Sequence, residues 1–477
     1  MDVQGVLKNI AIGKVVNYRN VEVEGICADS RTLKKGDLYV CLRGGKADGH
    51  LFVGEAEEKG AVAIVSEQEV ESSLPQFIVK NTRKALALIA GNFYRNPASD
   101  LHVVTVVGTN GKTSTVEILS RIFSYAGLKT ATIGTLGFMI DGQHTEGALT
   151  TPDPIDLHRK LREMADCGVK YVFMEASAHA IYYDKLAGIK AKATVFTNIT
   201  QDHLDFFRTM EEYSAVKLSY FNHENTALAV VNSDDPYGVR LITSHPVPTI
   251  SYGIDNPADV FAINLNEEED GLSFTMNAFD CIEEIRCPLF GRFNVYNVMA
   301  ATATAMYMGI GIKTVARALA SMPTVPGRYD VKYLQGRRVI VDYAHTPDGL
   351  ENLLSDVKER YAGKVITVFG CGGNRDKSKR PLMGNVASTY SDRIIITDDN
   401  PRDEEEIFIA EDVKKGIPLG AEAEILLDRE EAIRRAFLLS SQGDTIVIAG
   451  KGHERTMEKK GVKSPYSDYA VLEKLSR

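Results

Sequence analysis

The densest group of chemistry-bearing side chains is Gly108-Thr109-Asn110-Gly111-Lys112-Thr113-Ser114, which packs two glycines, a lysine and three hydroxyls into seven residues. Glycines let backbone N–H groups close round phosphate oxygens, and a helix N-terminus behind them adds a favourable dipole. Lys112 is placed to bridge β- and γ-phosphates, and Thr113 to offer its hydroxyl to Mg²⁺. The spacing, GxxGKT, is shorter than the usual GxxxxGK[ST]. The setting is right, because "HVVTVV" before it reads as a strand and "STVEIL" after it as a helix.

Two groups at other strand ends suit the same metal. Glu175 closes "FMEAS" and His203 follows "NITQD". Each alone reads more often as structural, a helix cap or a buried hydrogen-bonded pair. Together with Thr113 they make a Mg²⁺ or phosphate contact set, with His203 unusual as a direct ligand because Mg²⁺ prefers oxygen. Lys217 lies among apolar neighbours in "EEYSAVKLSYF", and its spacing alone suggests an amphipathic lysine with its head in water.

The elements that hold these groups are β-rich runs alternating with helical patterns. "HVVTVVG", "KTATIGT", "YVFMEAS", "ATVFTNIT" and "TALAVVNSDD" lie in the middle of the chain; "RVIVDYAH", "KVITVFGCGG", "RIIITDDNPR" and "DTIVIAGKGHE" follow later. Continuous apolar strands separated by helices predict parallel sheets covered on both faces, an α/β fold. Nearly every one of these strands ends in polar, charged or glycine-rich residues, which is where open α/β sheets bind ligands. Punctuation at "YRNPASDLH" and "SMPTVPGRYD" divides the chain into 1–98, 99–327 and 328–477.

Bulk properties set limits. A chain of 477 residues is too long for one core. Its 44% hydrophobic and 25% charged content is that of a soluble globular protein. A net charge of −9 argues against nucleic acid as a partner. Six cysteines without a CxxC pair predict reduced thiols. No signal peptide and no apolar run of about 20 residues stands out, so a soluble, intracellular protein without a membrane partner is expected.

The ordered motifs "GTNGKTS", "TTPDP", "TNITQDHLDFF", "GRFNVYNVMAA", "PGRYD", "VDYAHTPDGL", "GCGGNRDKSKRPLMG", "TDDNPR" and "AGKGHE" resemble those of the Mur ligases. "ADSRTLKKGDLYVCLRGGKADGHLF" (28–52) is similar to the family's UDP-binding N-terminal domain, so the resemblance covers nearly the whole chain. It implies three domains: a small mixed α/β UDP-binding domain, a central P-loop ATPase-like domain with a parallel sheet, and a Rossmann-like C-terminal domain. It also implies ATP-driven amide formation through an acyl phosphate, in cytoplasmic peptidoglycan precursor synthesis by a monomer. The branch resembled adds meso-2,6-diaminopimelate to UDP-N-acetylmuramoyl-L-alanyl-D-glutamate.

By resemblance, Gly108–Ser114, Asn294, Asn297, Arg328, Asp342 and His345 bind ATP; Lys112, Glu175, His203 and Lys217 are catalytic; and Thr113, Glu175, His203 and Lys217 serve the metal. Lys217 falls where the family carries a carbamylated lysine. Ser30, Gly45, Lys46 and Ala47 match positions holding the uridine end, and Thr150, Thr151 and Ser177 match contacts to the muramoyl peptide. Tyr183 and Lys185 occupy sugar-phosphate positions where the family has a Gln and an Arg, and Ala178 stands where it has a Ser. Arg375, Asp399, Asn400, Pro401, Arg402, Gly450 and Glu454 would take the diamino acid. Arg402 offers the distal carboxylate a planar fork that a lysine substrate would leave empty; the alternative is a surface salt bridge to the acidic run 403–406. A folylpolyglutamate synthetase-like ligase or the lysine-adding homologue is the rival reading.

Overall fold

A computed structural model of the protein describes residues 1–45, 47–147 and 149–476. Lys46, one of the expected uridine contacts, lies outside them.

Three large sheets, each with its own core, follow one another along the chain, and a two-stranded ribbon, Thr456–Lys459 with Val462–Pro465, comes after the last strand of the third. The first has five strands in the order Ile12–Val16, Gln76–Val79, Ala63–Ser66, Asp37–Val40, Gly25–Cys27. Four of them run parallel and the first is antiparallel to its neighbour.

The second sheet has eleven strands. Its parallel heart is Thr130–Gly134, Tyr171–Glu175, His102–Val107, Ala193–Phe196, Ala229–Asn232 and Thr249–Gly253. Residues alternate between two cores because successive side chains point to opposite faces. Val104 and Val106 join Ile118, Phe123 and the Ala-rich helix Arg292–Tyr307 on one side. Val103 and Val107 join Leu157, Leu161 and Tyr213 on the other.

This sheet is not parallel throughout, as the sequence had suggested. A hairpin, Gly137–Ile140 with Gln143–Thr145, closes one edge, and Gly271–Ala278 and Cys281–Cys287 extend the other antiparallel. The strand Gly271–Ala278 buries every second residue fully, the period-2 pattern of a sheet with one covered face.

The third sheet runs Asp330–Leu334, Arg337–Asp342, Thr445–Ala449, Val365–Phe369, Arg393–Ile396, Ala423–Ile425, and all but the first strand are parallel. Helices cover both its faces. Parallel strands share one carboxyl edge, so each large sheet gathers its strand-end residues on one rim. Among the described residues no helix is long and apolar enough to cross a membrane.

Candidate active site

The two rims meet in a cleft of about 710 Å³ lined by residues of both large sheets and of the phosphate loop. The loop leaves the strand His102–Val107 and opens the helix Lys112–Tyr125. Gly111 sits at φ 83°, and a Cβ there would lie 2.4 Å from Asn297 Oδ1. Only glycine fits both constraints. Lys112 curls over the loop, donating to the carbonyls of Gly108 (2.9 Å) and Thr109 (2.8 Å).

Thr113 and Glu175 meet as their strand-end positions suggested. Thr113 Oγ1 donates to Glu175 Oε1 at 2.9 Å, and Arg328 Nη2 donates to Thr113 Oγ1 at 2.9 Å. Glu175 is buried and also accepts from the Thr135 N–H (2.7 Å). One carboxylate and one hydroxyl, both oxygen donors facing a phosphate loop, fit Mg²⁺, which usually keeps waters and substrate phosphates as its other ligands. Among the described residues no cluster of three His, Cys, Asp or Glu side chains forms an all-protein metal cage.

Lys217 does not keep its head in water. It is 1% exposed, with Nζ 3.2 Å from Thr109 Oγ1 and 4.3 Å from the centre of the Tyr213 ring. Burial, reinforced by the charge of Lys112, drives its pKa well down. The amphipathic reading failed because the helix Met210–Ser219 packs Tyr213, Ser214 and Lys217 inward beneath the loop.

His203 stands at φ 57° in the cleft, with Nε2 3.3 Å from Asp202 Oδ2. Burial pushes its pKa down to about 3, against the pull of Asp202. Asp202 is a hub that nothing in "TNITQDHLDFF" singles out. Its carboxylate faces His203, His345 (3.8 Å) and Lys379 (3.7 Å). Burial acts to raise its pKa, but those partners hold it well below the usual range.

Asn294 and Asn297 stand in line, not side by side. Asn297 lines the cleft, and its Nδ2 donates to Asn294 Oδ1 (2.9 Å), while Asn294 turns to the Phe290 carbonyl (2.7 Å). Asp342 accepts from the N–H groups of Tyr329 and Ala344, both at 2.6 Å, fixing the junction that carries Arg328. The third sheet also grips the phosphate loop directly. Asn110 Nδ2 donates to Asp348 Oδ2 at 2.7 Å; beside the phosphate loop, Gln201, which follows the strand Ala193–Phe196, donates through Nε2 to Asp376 Oδ2 at 3.2 Å.

Across the cleft lie Arg375, Asp399, Asn400, Arg402, Gly450 and Glu454; Pro401, expected with them, is buried and does not line it. Arg402 is in the left-handed region (φ 51°) and donates through Nη1 to the carbonyls of Gly373 (2.8 Å) and Asn400 (3.4 Å). Among the described residues it makes no ion pair with the acidic run that follows, where Glu404 is taken by Arg380 (2.9 Å), Glu405 by Lys460 (3.2 Å) and Glu406 by Lys459; its Nε lies instead 3.6 Å from Glu458 Oε2. The charge of Arg375 feels that of Arg402, and burial together with this repulsion lowers its pKa.

The muramoyl-peptide candidates gather beside Glu175. Thr150 Oγ1 is 3.3 Å from Thr135 Oγ1, and Thr151 Oγ1 donates to the Glu175 carbonyl (2.8 Å) and to Ser177 Oγ (3.2 Å). The uridine candidates are split. Gly45 and Tyr183 share a second cavity of about 880 Å³ between the first and second sheets, with Arg43, Arg83 and Arg208. The Arg83 guanidinium lies 4.1 Å over the Tyr183 ring. Ala47 is exposed near its rim. Ser30 is buried elsewhere, donating to Glu55 Oε2 at 2.9 Å, and does not line that cavity. Lys185 pairs with Asp153 at 2.7 Å.

Family models match three stretches: "Mur ligase family, catalytic domain" over residues 22–94, "Mur ligase middle domain" over 106–305 and "Mur ligase, glutamate ligase domain" over 327–452. The UDP-N-acetylmuramoyl-L-alanyl-D-glutamate–2,6-diaminopimelate ligase of Aquifex aeolicus (strain VF5) is 42% identical over 95% of this chain and 93% of its own length. The ligase of the same name from Syntrophomonas wolfei is 40% identical over 99% and 98%. A solved structure titled as that ligase superposes with a TM-score of 0.69 at 30% identity, covering 95% of this chain and 94% of its own. With relatives this similar over nearly its full length, and with two sheets whose rims set a phosphate loop against a second polar wall, the chain belongs to the Mur ligase family.

Proposed function

We propose that this protein is an ATP-dependent ligase that joins meso-2,6-diaminopimelate to UDP-N-acetylmuramoyl-L-alanyl-D-glutamate in the cytoplasm. The observation that carries the reading is the juxtaposition in one cleft of the phosphate loop, the Thr150–Ser177 cluster and the Arg375–Glu454 wall. The names of relatives at 42% and 40% identity over nearly the whole chain support the same substrate pair. Residues 1–98 would hold the uridine end, 99–327 the ATP and 328–477 the incoming amino acid.

A free carboxylate is a poor electrophile, so it is first phosphorylated. One glutamyl carboxylate oxygen attacks the γ-phosphorus and ADP leaves. The free amine then attacks the acyl carbon, phosphate leaves with the bonding pair, and the nitrogen loses its proton. The protein supplies position and charge neutralisation. Lys112 would leave its carbonyl contacts to meet the phosphates, Arg328 would neutralise charge beside Thr113, and Asn297 with the Asn294 behind it would face the base. Thr113 and Glu175 would hold Mg²⁺, which when bound would further neutralise the phosphoryl oxygens.

Lys217 fits carbamylation. Burial drives the pKa of its amine down; the neutral amine can add to CO₂ and lose a proton, placing beside Lys112 an oxygen anion that would suit a metal. Arg402 and Arg375 would clasp the distal carboxylate, with Glu454 and Asp399 facing the distal ammonium. The test is phosphate release from ATP that requires both the UDP-muramoyl dipeptide and the diamino acid. Turnover that proceeds equally with L-lysine, or without the muramoyl dipeptide, would overturn the proposal in favour of the lysine-adding or folylpolyglutamate-type reading.

A further inference from the structure

Lys451 is a fully buried lysine at the back of the amino-acid wall. It is 0% exposed and does not line the cleft, yet its ammonium touches three residues that do. Nζ donates to Glu454 Oε2 at 2.8 Å and to Asn400 Oδ1 at 3.2 Å, and lies 3.8 Å from Asp399 Oδ1. Asn400 completes the knot by donating through Nδ2 to Glu454 Oε2 (2.9 Å) and Asp399 Oδ1 (3.0 Å).

The backbone is shaped for this. Gly450 (φ 109°) and Gly452 (φ 51°) flank the lysine in the left-handed region, and a Cβ on Gly450 would lie 2.8 Å from Asp399 Oδ2. The two reversals send Lys451 inward while Glu454 faces the cleft. The strand end before them is anchored separately. Arg429, paired with Asp468 at 2.9 Å and wholly buried, donates to the carbonyls of Ala449 (2.9 Å) and Asp398 (3.2 Å).

Two carboxylates this close repel unless a cation stands between them. One lysine against Asp399 and Glu454 leaves this cluster of three with a single net negative charge. One oxygen of Glu454 is taken up in the knot, and among the described residues no hydrogen bond is made to Oε1. We infer that Lys451 is a positioning residue for diamino-acid selection: it pins Glu454, Asn400 and Asp399 so that one carboxylate oxygen is presented to the distal ammonium of the incoming substrate. This rests on the proposed reaction.

The experiment is a double-mutant cycle on the full chain with Lys451→Gln, Glu454→Gln and the pair, measuring KM for diaminopimelate, KM for ATP and kcat, with folding checked by thermal melting. The KM for diaminopimelate should rise roughly thirtyfold in Lys451→Gln, as expected when one partner of a buried charge pair is truncated, while the KM for ATP changes less than about twofold. In the Glu454→Gln background the same change should add less than about threefold, because the two residues act as one unit. Lys451→Met serves as a second variant if Lys451→Gln does not fold. Unchanged diaminopimelate KM, an equal rise for ATP, fully additive effects, or failure of both variants to fold would each overturn the inference. If the parent enzyme itself does not add diaminopimelate, the proposed reaction is what fails.

Discussion

Asn110 of the phosphate loop and Asp348, the second residue of the helix Pro347–Arg360, are joined by a 2.7 Å hydrogen bond across 238 positions of chain. The third sheet therefore docks on the loop that would hold the γ-phosphate. Removing this contact with Asp348→Ala should loosen the docked arrangement. A net hydrogen bond to a charged group contributes about 1.5–3 kcal/mol, so kcat/KM should fall about tenfold or more. Steady-state kinetics checks this, and small-angle scattering of the ligand-free variant should show a larger radius of gyration than the parent.

Lys217 offers a sharper test. Lys217→Met keeps the bulk but cannot form a carbamate, and should lose activity by at least about a hundredfold, the scale of removing one preorganised charged group. Lys217→Glu supplies a carboxylate on a shorter arm and should retain more activity than the Met variant. Intact mass of the parent under bicarbonate, compared with CO₂-free buffer, should show the added carboxyl group.

Arg402→Ala should abolish discrimination for the distal carboxylate. A site built to pair a charged group rejects ligands lacking it strongly, so the KM for diaminopimelate should rise by about two orders of magnitude or more. Binding of ATP, measured by calorimetry, should stay within about twofold because Arg402 lies on the opposite wall.

Glu404 links the loops that carry the two arginines, accepting from the Asn374 N–H at 2.6 Å and from Arg380 at 2.9 Å. Burial acts to raise its pKa, but Arg380, Asn374 and Lys377 outweigh it and hold it at about 2, against an ordinary value of 4.5. A depressed carboxyl adds stability that is complete above the unfolded value and is lost as pH falls through the folded one. The melting temperature of the parent should therefore drop more steeply from pH 4.5 toward pH 2 than that of Glu404→Gln.

Much of the cleft was legible because parallel strands put their polar ends on one rim, so Lys112, Glu175, Asn400 and Glu454 could be placed from strand-end position and motif. Contacts between separate sheets were not. Asp202 reads as one acid in a polar loop until the fold brings His345 and Lys379 to it. Lys451 sits inside a quoted motif, but its inward turn depends on two left-handed glycines that no periodicity reveals. The antiparallel edge strands Gly271–Ala278 and Cys281–Cys287 went unread because their mixed polar faces lack the apolar continuity that marked the buried strands.

Arg328 precedes Tyr329, the left-handed residue (φ 47°) at the start of the third sheet, and its guanidinium rests on Thr113. The left-handed turn into the third sheet and the cation that touches the phosphate loop are thus adjacent residues. A phosphate arriving beside Thr113 would therefore meet a charge carried by the residue that leads into the third sheet, so the nucleotide pocket and the junction between the two sheets share one side chain.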